Sequence, residues 1–177
     1  MIRLPLLTLR PWAMSDIDAL ARHANDRRIW LNLRDRFPHP YTRADAEGWI
    51  RFCEGMSGPP TIFAIDVGGE AVGSIGLELH GDVHRTTAEI GYWLGASHWG
   101  RGLATMAVGA LTRYAFEELG LERVHAFLFE WNPASRRVLE KAGYTFEGRM
   151  RRYVIKDGRV GDVLLYARIR DDAPVPH

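Results

Sequence analysis

The sequence predicts an α+β domain with a mixed sheet. Three observations support this. Helical and strand patterns both occur along the chain, strands come both adjacent and separated by helices, and 177 residues can bury one sizeable core. The predicted order, β-α-α-β-β-β-α-β-α-β-β, fits neither an all-parallel sheet nor a sandwich. We expect one domain over residues 1–170 and a disordered tail over residues 171–177.

The N-terminal part is predicted as one strand followed by two capped helices. The strand is the stretch "LLTLR". Ser15, with Asp18 three residues on, predicts a capping box that opens a helix running to about Ala24. Thr42 and Asp45 repeat this signature and predict a second helix after the proline-containing loop "NLRDRFPHPYT".

The middle of the chain is predicted as three strands and a helix. "TIFAIDVGGEAVGSIGLEL" contains two strand patterns about Gly68-Gly69, which predicts a hairpin. "TAEIGYWLG" is the third strand. The segment from Leu103 to Leu119 is helical, because its apolar side chains recur on one broad face, and Gly120 ends it.

The C-terminal part is predicted as a strand, a helix and a closing hairpin. "ERVHAFLFEW" is the strand, and Asn132 caps the helix with Pro133 at its first position. Gly143 ends that helix. The last two strands, "RRYVIKDGRVGDVLLYARI", turn at Asp157-Gly158, a dipeptide typical of two-residue hairpin turns.

The composition favours a globular protein without a nucleic-acid or membrane partner. Apolar residues make up 46% of the chain, charged residues 25%, and the formal net charge is +1. No apolar run suits a membrane span and no signal pattern is present, so we expect a cytoplasmic protein. Cys53 is the only cysteine, which excludes an internal disulfide. His80 and His84 lack a predicted helix and an H-E-x-x-H pattern, so we expect no metal.

A glycine-rich turn, "GASHWGRG", joins the strand "IGYWL" to the helix that starts at Leu103. The first N–H groups of a helix have no intrahelical acceptor and lie at its positive end, and glycines let a ligand approach the backbone. Arg101 adds a charge suited to phosphate. The sequence therefore predicts an anion site formed by Gly100, Arg101, Gly102, Leu103, Ala104 and Thr105. The alternative is that the glycines only permit a tight bend.

Two nucleotide-binding patterns fit this turn poorly. A P-loop needs a lysine followed by serine or threonine, but Arg101 and Gly102 occupy those places. A dinucleotide fingerprint needs a third glycine where Thr105 stands. A nucleotide-binding protein is therefore kept only as an alternative hypothesis.

Motifs spread over most of the chain resemble one family. "WGRGLAT", followed by a helix, a strand and "NPASRRVLEKAGYTFEG", resembles the GNAT superfamily of acyl-CoA-dependent N-acetyltransferases. "IGYWLGASHWGRGLAT", "LTLRPW", "FPHPYT" and "YARI" resemble its RimJ/RimL branch, which includes ribosomal-protein N-terminal acetyltransferases. The resemblance covers about Leu6 to Arg170. It implies the GNAT fold, in which a central, mostly antiparallel, twisted sheet is flanked by helices.

The resemblance also implies a binding site for acetyl-CoA. The backbone N–H groups of Gly100 to Thr105 are implied to bind its pyrophosphate, and Ser135 to lie near the thioester sulfur. The residues implied to run beside the pantetheine arm or hydrogen-bond to it are Tyr92, Trp93, Leu94 and Asn132.

Two positions depart from the family pattern. The turn usually begins with arginine or glutamine, but here Trp99 stands there, so we expect the backbone amides and Arg101 to hold the phosphates. Many members carry a tyrosine, as proton donor to the leaving thiolate, where this chain has Leu139. Ser135 is the natural substitute, and Tyr144 is a further candidate.

Acetyl transfer to an amine needs a base, because an ordinary amine is protonated at neutral pH. Glu89, beside the "IGYWL" segment, is the first candidate, and Glu78 on the preceding strand is the second. His80 and Asp82 follow. Glu89 could instead be a structural carboxylate that pairs with an arginine. Backbone N–H groups near Leu94 could stabilise the developing negative charge on the carbonyl oxygen.

We therefore predict an N-acetyltransferase that moves the acetyl group of acetyl-CoA to a primary amine by direct attack in a ternary complex. The acceptor stays open between a protein or peptide N-terminal α-amine, which the branch resemblance favours, and a small molecule such as an amino acid, a polyamine or an antibiotic. A non-catalytic CoA-binding module is a further alternative. The resemblance makes a homodimer a reasonable expectation.

Overall fold

The computed structural model describes residues 1–171, in which eight strands and five helices form. The strands are β1 (Ile2–Arg3), β2 (Thr8–Arg10), β3 (Ile62–Val67), β4 (Glu70–Leu79), β5 (Thr87–Leu94), β6 (Arg123–Phe129), β7 (Thr145–Lys156) and β8 (Arg159–Ile169). The helices are α1 (Ile17–Ala24), α2 (Arg27–Trp30), α3 (Arg43–Glu54), α4 (Leu103–Glu117) and α5 (Pro133–Lys141). Short 3-10 turns cover Met14–Asp16, Asp82–His84 and Ala96–His98.

The strands form one mixed, mostly antiparallel sheet in the order β1-β2-β3-β4-β5-β6-β8-β7. The pairs β1–β2, β2–β3, β3–β4, β6–β8 and β7–β8 are antiparallel. β5 and β6 run parallel, with Thr87 opposite Arg123 and Glu89 opposite His125. The helix α4 lies between these two strands in the chain, as a parallel connection requires. The predicted α+β class with a mostly antiparallel sheet is confirmed.

The described chain divides into two compact units. The first consists of Met1–Gly76 with Tyr92–Ala107, and the second of Leu77–Gly91 with the chain from Val108 onward. The single domain expected over residues 1–170 stays a prediction. Except for Asp171, the tail expected to be disordered lies outside the described residues.

The start of α1 differs from the sequence prediction. Ser15 is not its N-cap: a 3-10 turn begins after Ala13, whose N–H donates to the Asp16 carboxylate at 3.0 Å. Arg10 donates from Nη1 to the same carboxylate at 2.7 Å and holds it in place. Because Asp16 closes the turn in this way, α1 begins only at Ile17.

The segment before α3 contains a short helix that the sequence did not predict. α2 is capped by Asp26, whose Oδ1 accepts the backbone N–H of Arg28 at 2.8 Å. A helix of four residues is too short to carry a periodic apolar pattern. The predicted capping box of α3 is confirmed: Thr42 Oγ1 accepts the N–H of Asp45 at 3.2 Å, and Asp45 accepts the N–H of Thr42 at 2.8 Å.

Buried apolar side chains from α1, α3, β3 and β4, and from the loop after β2, form a core in the first unit. They include Trp12, Ile17, Leu20, Ile50, Ala64 and Ala71. The rings of Phe37 and Trp93 pack against this core, with their centroids 5.7 Å apart. The predicted hairpin between β3 and β4 is confirmed, and its turn residues Gly68 and Gly69 have positive φ angles of 65° and 91°.

In the second unit, β6, β8 and β7 pair in that order. The β7–β8 hairpin turns at Asp157 and Gly158, with φ angles of 52° and 75°, which confirms the predicted two-residue turn. β7 is irregular, because its register with β8 shifts after Phe146 and again between Met150 and Val154. The side chains buried in this unit include Ile90, Val124, Leu128, Leu139 and Tyr166.

Candidate active site

The end of β5 packs closely against α1 and β4. A Cβ at Gly95 would lie 2.5 Å from Nδ1 of His23, and one at Gly73 would overlap the carbonyl oxygen of Trp93. His23 is itself held by Glu70, which contacts its Nε2 atom. Only glycine fits at these two positions, so the point where β5 ends is rigidly defined.

Trp99 ties the following turn back to β5. Its indole Nε1 donates to the carbonyl oxygen of Leu94 at 2.7 Å, while 46% of the residue stays exposed. The Arg28 guanidinium lies 5.2 Å from the centroid of the indole ring, and Asp26 holds it there through three side-chain hydrogen bonds. The tryptophan that replaces the family's arginine or glutamine therefore has a structural role of its own.

The glycines predicted to form an anion site adopt a backbone that other residues avoid. Gly100 and Gly102 both have φ of 75°, and an added Cβ would meet nothing within 4 Å at either position. The constraint is therefore conformational, and the space beside both residues is open. The first helical hydrogen bond here runs from the N–H of Met106 to the carbonyl oxygen of Gly102 at 3.0 Å.

This bond leaves the preceding N–H groups without an acceptor inside α4; they belong to Leu103, Ala104 and Thr105. They lie at the positive end of a helix of 15 residues. Backbone donors, a helix N-terminus and glycines with open space are the features that bind phosphate oxygens. The geometry of the turn is thus compatible with an anionic ligand, and the binding of one stays a prediction.

Arg101 supplies the positive side-chain charge of this turn and is exposed. Nearby, the pKa of His98 is lowered, by burial first and then by the positive charges of His23 and Arg101. His98 is therefore neutral at neutral pH and does not add to the charge of the turn.

The residues predicted to contact the pantetheine arm lie on two elements. Tyr92, Trp93 and Leu94 are the last residues of β5, with Leu94 buried and the other two half-buried. Asn132 lies in the second unit, directly before α5, and caps it. Its Oδ1 accepts the backbone N–H of Ser135 at 3.1 Å. The cap predicted from the sequence is confirmed.

The candidate proton donors to a thiolate differ sharply in their surroundings. Ser135 is half-buried in the first turn of α5. Tyr144 is 4% exposed, and its hydroxyl lies 2.6 Å from Oγ1 of the buried Thr112. Leu139 is fully buried. These surroundings favour Ser135, because the hydroxyl of Tyr144 is engaged within the core.

The candidate bases also differ in exposure. Glu89 is half-buried on β5, whereas Glu78 is exposed near the end of β4. Asp82 is exposed in the following loop, with a positive φ of 54°, and His80 is half-buried. Glu89 is therefore the less exposed of the two candidate carboxylates that lie on strands.

His125, which the sequence reasoning did not select, lies opposite Glu89 on the parallel strand β6. It is 6% exposed, and its Nδ1 has no hydrogen-bond partner within the described chain. Burial lowers its pKa to about 4, the charges of His80 and Arg123 add to the effect, and Glu147 opposes it. The imidazole beside Glu89 is therefore neutral at neutral pH. The sequence signal for a buried His125 was its position within the strand pattern "RVHAFLF", since alternate residues of a strand share a face.

Residues 1–171 contain no candidate metal cluster, no membrane-spanning helix and no reactive thiol. No cluster of His, Cys, Asp or Glu among residues 1–171 is arranged to hold a metal ion. None of the helices in the same range has the length and apolar character to cross a membrane. Burial raises the pKa of the Cys53 thiol to about 12, so this thiol is protonated at neutral pH and a poor nucleophile.

Comparison with known proteins identifies the family. A family model described as an acetyltransferase (GNAT) domain matches residues 7–145. The chain belongs to the GNAT acetyltransferase family. It is therefore an N-acetyltransferase, as the motifs at the turn and at Asn132 predicted.

Three GNAT relatives illustrate the similarity. The uncharacterized N-acetyltransferase p20 of Bacillus licheniformis is 32% identical over 171 residues, which cover 93% of each protein. The ribosomal-protein-serine acetyltransferase of Escherichia coli is 38% identical over 85 residues, 48% of each protein. The structure of RimJ from Mycobacterium smegmatis in complex with CoA-disulfide superposes with a TM-score of 0.83 and 27% identity, covering 95% of this chain and 84% of RimJ. The RimJ/RimL-like character predicted from the sequence is confirmed.

Proposed function

We propose that this chain transfers the acetyl group of acetyl-CoA to a primary amine by direct attack, without a covalent enzyme intermediate. The observation that carries the proposal is the turn from Gly100 to Thr105, where two left-handed glycines, open space and unpaired helix N–H groups coincide. The structure of the related RimJ contains a CoA derivative, which supports CoA as the ligand.

In this proposal the pyrophosphate is held mainly by backbone donors. The N–H groups from Gly100 to Thr105 bind its oxygens, and Arg101 contributes charge. The strand end that consists of Tyr92, Trp93 and Leu94 pairs with the pantetheine amides, because its backbone is fixed by close packing at Gly73 and Gly95. Asn132 donates from its side-chain amide, since its Oδ1 is already used by the cap.

The acetyl thioester supplies an activated carbonyl, and three groups of this chain act around it. Glu89 takes a proton from the acceptor amine, with Glu78 as the second candidate. Backbone N–H groups near Leu94 donate to the carbonyl oxygen as negative charge develops there. As the amine nitrogen bonds to the carbonyl carbon and the C–S bond breaks, Ser135 Oγ–H donates a hydrogen bond that stabilises the departing thiolate, which takes its proton from solvent.

A protein or peptide N-terminal α-amine is the favoured acceptor. The Escherichia coli relative is a ribosomal-protein-serine acetyltransferase, although the match covers only 48% of that protein. Small-molecule amines suit the same chemistry, so the acceptor has to be identified by experiment.

Thermal unfolding with and without acetyl-CoA tests the cofactor part of the proposal. A ligand at about 100 times its dissociation constant adds roughly 2.7 kcal/mol of stability. We expect acetyl-CoA to raise the Tm of the wild-type chain, ATP and NAD to leave it unchanged, and Gly102→Glu to abolish the shift. Gly109→Glu is the matched control, since it adds the same charge within α4 at a position with open space.

A panel of amines and N-terminal peptides then tests transfer, with acetylated products measured by mass spectrometry. Failure of acetyl-CoA to stabilise the wild-type chain at saturation would sink the acetyl-CoA proposal. Stabilisation without any product across the panel would favour a non-catalytic CoA-binding module.

A further inference from the structure

The β7–β8 hairpin has a basic surface that the proposed chemistry does not use. Residues 149–161 contain five basic side chains and one acidic one, whereas the whole chain has a net charge of only +1. Four of the five are exposed, and we call the three that form no salt bridge within residues 1–171 the basic hairpin residues: Arg151, Arg152 and Arg159.

The side chains of the basic hairpin residues lie outside salt-bridge distance of every carboxylate in residues 1–171. Arg151 is nevertheless near enough to Asp162 for its charge to help lower the pKa of that carboxyl. The neighbouring Arg149 behaves differently, because it donates to Glu130 at 2.6 Å and also contacts Asp162. Arg149 therefore serves the structure of the hairpin, while Arg152 and Arg159, and Arg151 in part, can meet a partner.

The backbone that carries these arginines is braced. Asp162 Oδ1 accepts the N–H of Arg152 at 2.7 Å, and this bond holds Arg152 in the left-handed region, with φ of 53°. Glu130 Oε1 accepts the N–H of Asp162 at 3.1 Å. Charges presented by a fixed backbone lose less conformational entropy on binding than charges on a mobile loop.

The basic hairpin adjoins the start of α5, where the proposed catalytic hydroxyl lies. Trp131 directly precedes Asn132, and the Arg159 guanidinium lies 4.6 Å from the centroid of its ring. Gly161 approaches the same ring so closely that a Cβ would overlap it. The ring of Trp131 therefore links the basic surface to the segment that carries Asn132 and Ser135.

Exposed apolar side chains accompany the charges. Tyr153 is 68% exposed, Ile155 63% and Val160 47%, all on the same hairpin. A surface of arginines and apolar side chains suits a polypeptide, whose carboxylates pair with guanidinium groups while its other side chains cover apolar area.

We propose that the acceptor is a polypeptide with acidic residues shortly after its N-terminal amine, and that Arg151, Arg152 and Arg159 select it. This inference rests on the proposed acetyl transfer, because it assigns the substrate class of that same site. The carboxylates of the peptide form ion pairs with the basic hairpin residues and hold its α-amine at the site. A nucleic-acid partner fits less well, because the chain as a whole is almost neutral.

Fluorescence anisotropy tests the inference without requiring turnover. Two labelled peptides of equal length carry the same free N-terminus and differ only in having Asp and Glu, or Asn and Gln, at the following positions. We expect the acidic peptide to bind about tenfold more tightly at low salt, and this preference to shrink as salt rises. Arg151→Glu and Arg159→Glu should each weaken binding of the acidic peptide by about fivefold.

Arg113→Glu is the matched control, since it makes the same charge change on an exposed residue of α4. It should leave peptide binding nearly unchanged. Equal binding of the two peptides, an equal loss in Arg113→Glu, or equally tight binding of a single-stranded oligonucleotide would overturn the inference. Failure of the acetyl transfer proposal is recognised separately, by the absence of stabilisation with acetyl-CoA.

Discussion

Asn132 accepts a hydrogen bond from the backbone N–H of Ser135, with 3.1 Å between Oδ1 and N. The side-chain oxygen of Asn132 thus caps the first turn of α5. In the proposed site, the amide N–H groups of the same side chain donate to acetyl-CoA. These two roles can be separated by mutation, because they use different atoms.

Asn132→Asp should keep the cap and lose the amide donor. We expect its stability in urea to match the wild type, while its affinity for acetyl-CoA falls about tenfold, since one ligand hydrogen bond is lost. Asn132→Ala should lose both and be about 1 kcal/mol less stable. Unchanged acetyl-CoA affinity in Asn132→Asp would reduce Asn132 to a helix cap.

Ser135→Ala should lower kcat by roughly 10- to 100-fold with little change in stability, because a half-buried hydroxyl that donates to the thiolate is removed. Tyr144→Phe should instead lower stability by about 1 kcal/mol, because it removes the buried contact with Thr112, and it should leave kcat unchanged. Steady-state kinetics and urea unfolding of the two variants separate the roles. A loss of kcat in Tyr144→Phe, with unchanged kcat in Ser135→Ala, would make Tyr144 the donor.

Glu89→Gln should lower kcat by roughly 100-fold or more at neutral pH, because the amine then lacks its proton acceptor. The loss should shrink at high pH, where more of the amine is already deprotonated. Glu78→Gln is the natural comparison, as an exposed carboxylate on β4. If Glu78→Gln has the larger effect, the assignment of the base reverses.

His125 should make folding stability depend on pH. Its pKa is lowered from 6.5 to about 4 in the folded chain, so the unfolded chain binds this proton first as pH falls. The contribution of His125 to stability should therefore be constant above about pH 6.5 and decline between pH 6.5 and pH 4, by up to about 3 kcal/mol. Urea unfolding across this range, repeated with His125→Phe, checks the prediction.

The exposed His84→Phe provides the control for this experiment. It removes a histidine near the same cluster, since its ring lies 6.5 Å from that of His80. The decline with pH should persist in His84→Phe and be reduced in His125→Phe. A decline that is the same in both variants would assign it to other groups.

The elements predicted correctly depend on contacts between near neighbours in the chain. The Thr42–Asp45 box and the Asp157-Gly158 turn each form within four residues, so their sequence signature is complete in itself. The predicted start of α1 was wrong because Arg10, which lies on a strand, donates to the Asp16 carboxylate and so stabilises the turn that precedes the helix. No local pattern contains that information.

The backbone features of the candidate site were predictable for the same reason, while the roles of its residues stay predictions. The turn at Gly100 and Gly102 and the cap at Asn132 have sequence signatures, because backbone conformation and helix ends restrict residue types. His125 was missed because its burial depends on which strand pairs with β6. The structural role of Trp99 was missed because its partner Arg28 lies on a helix that the sequence did not reveal.

The tight packing of Gly161 against Trp131 constrains how this enzyme can evolve. A side chain can be gained at position 161 only after the indole at position 131 has been replaced by something smaller. That replacement would also remove the aromatic support of Arg159. The two positions should therefore change together among descendants of this chain, and a change at either should coincide with a change in the choice of acceptor.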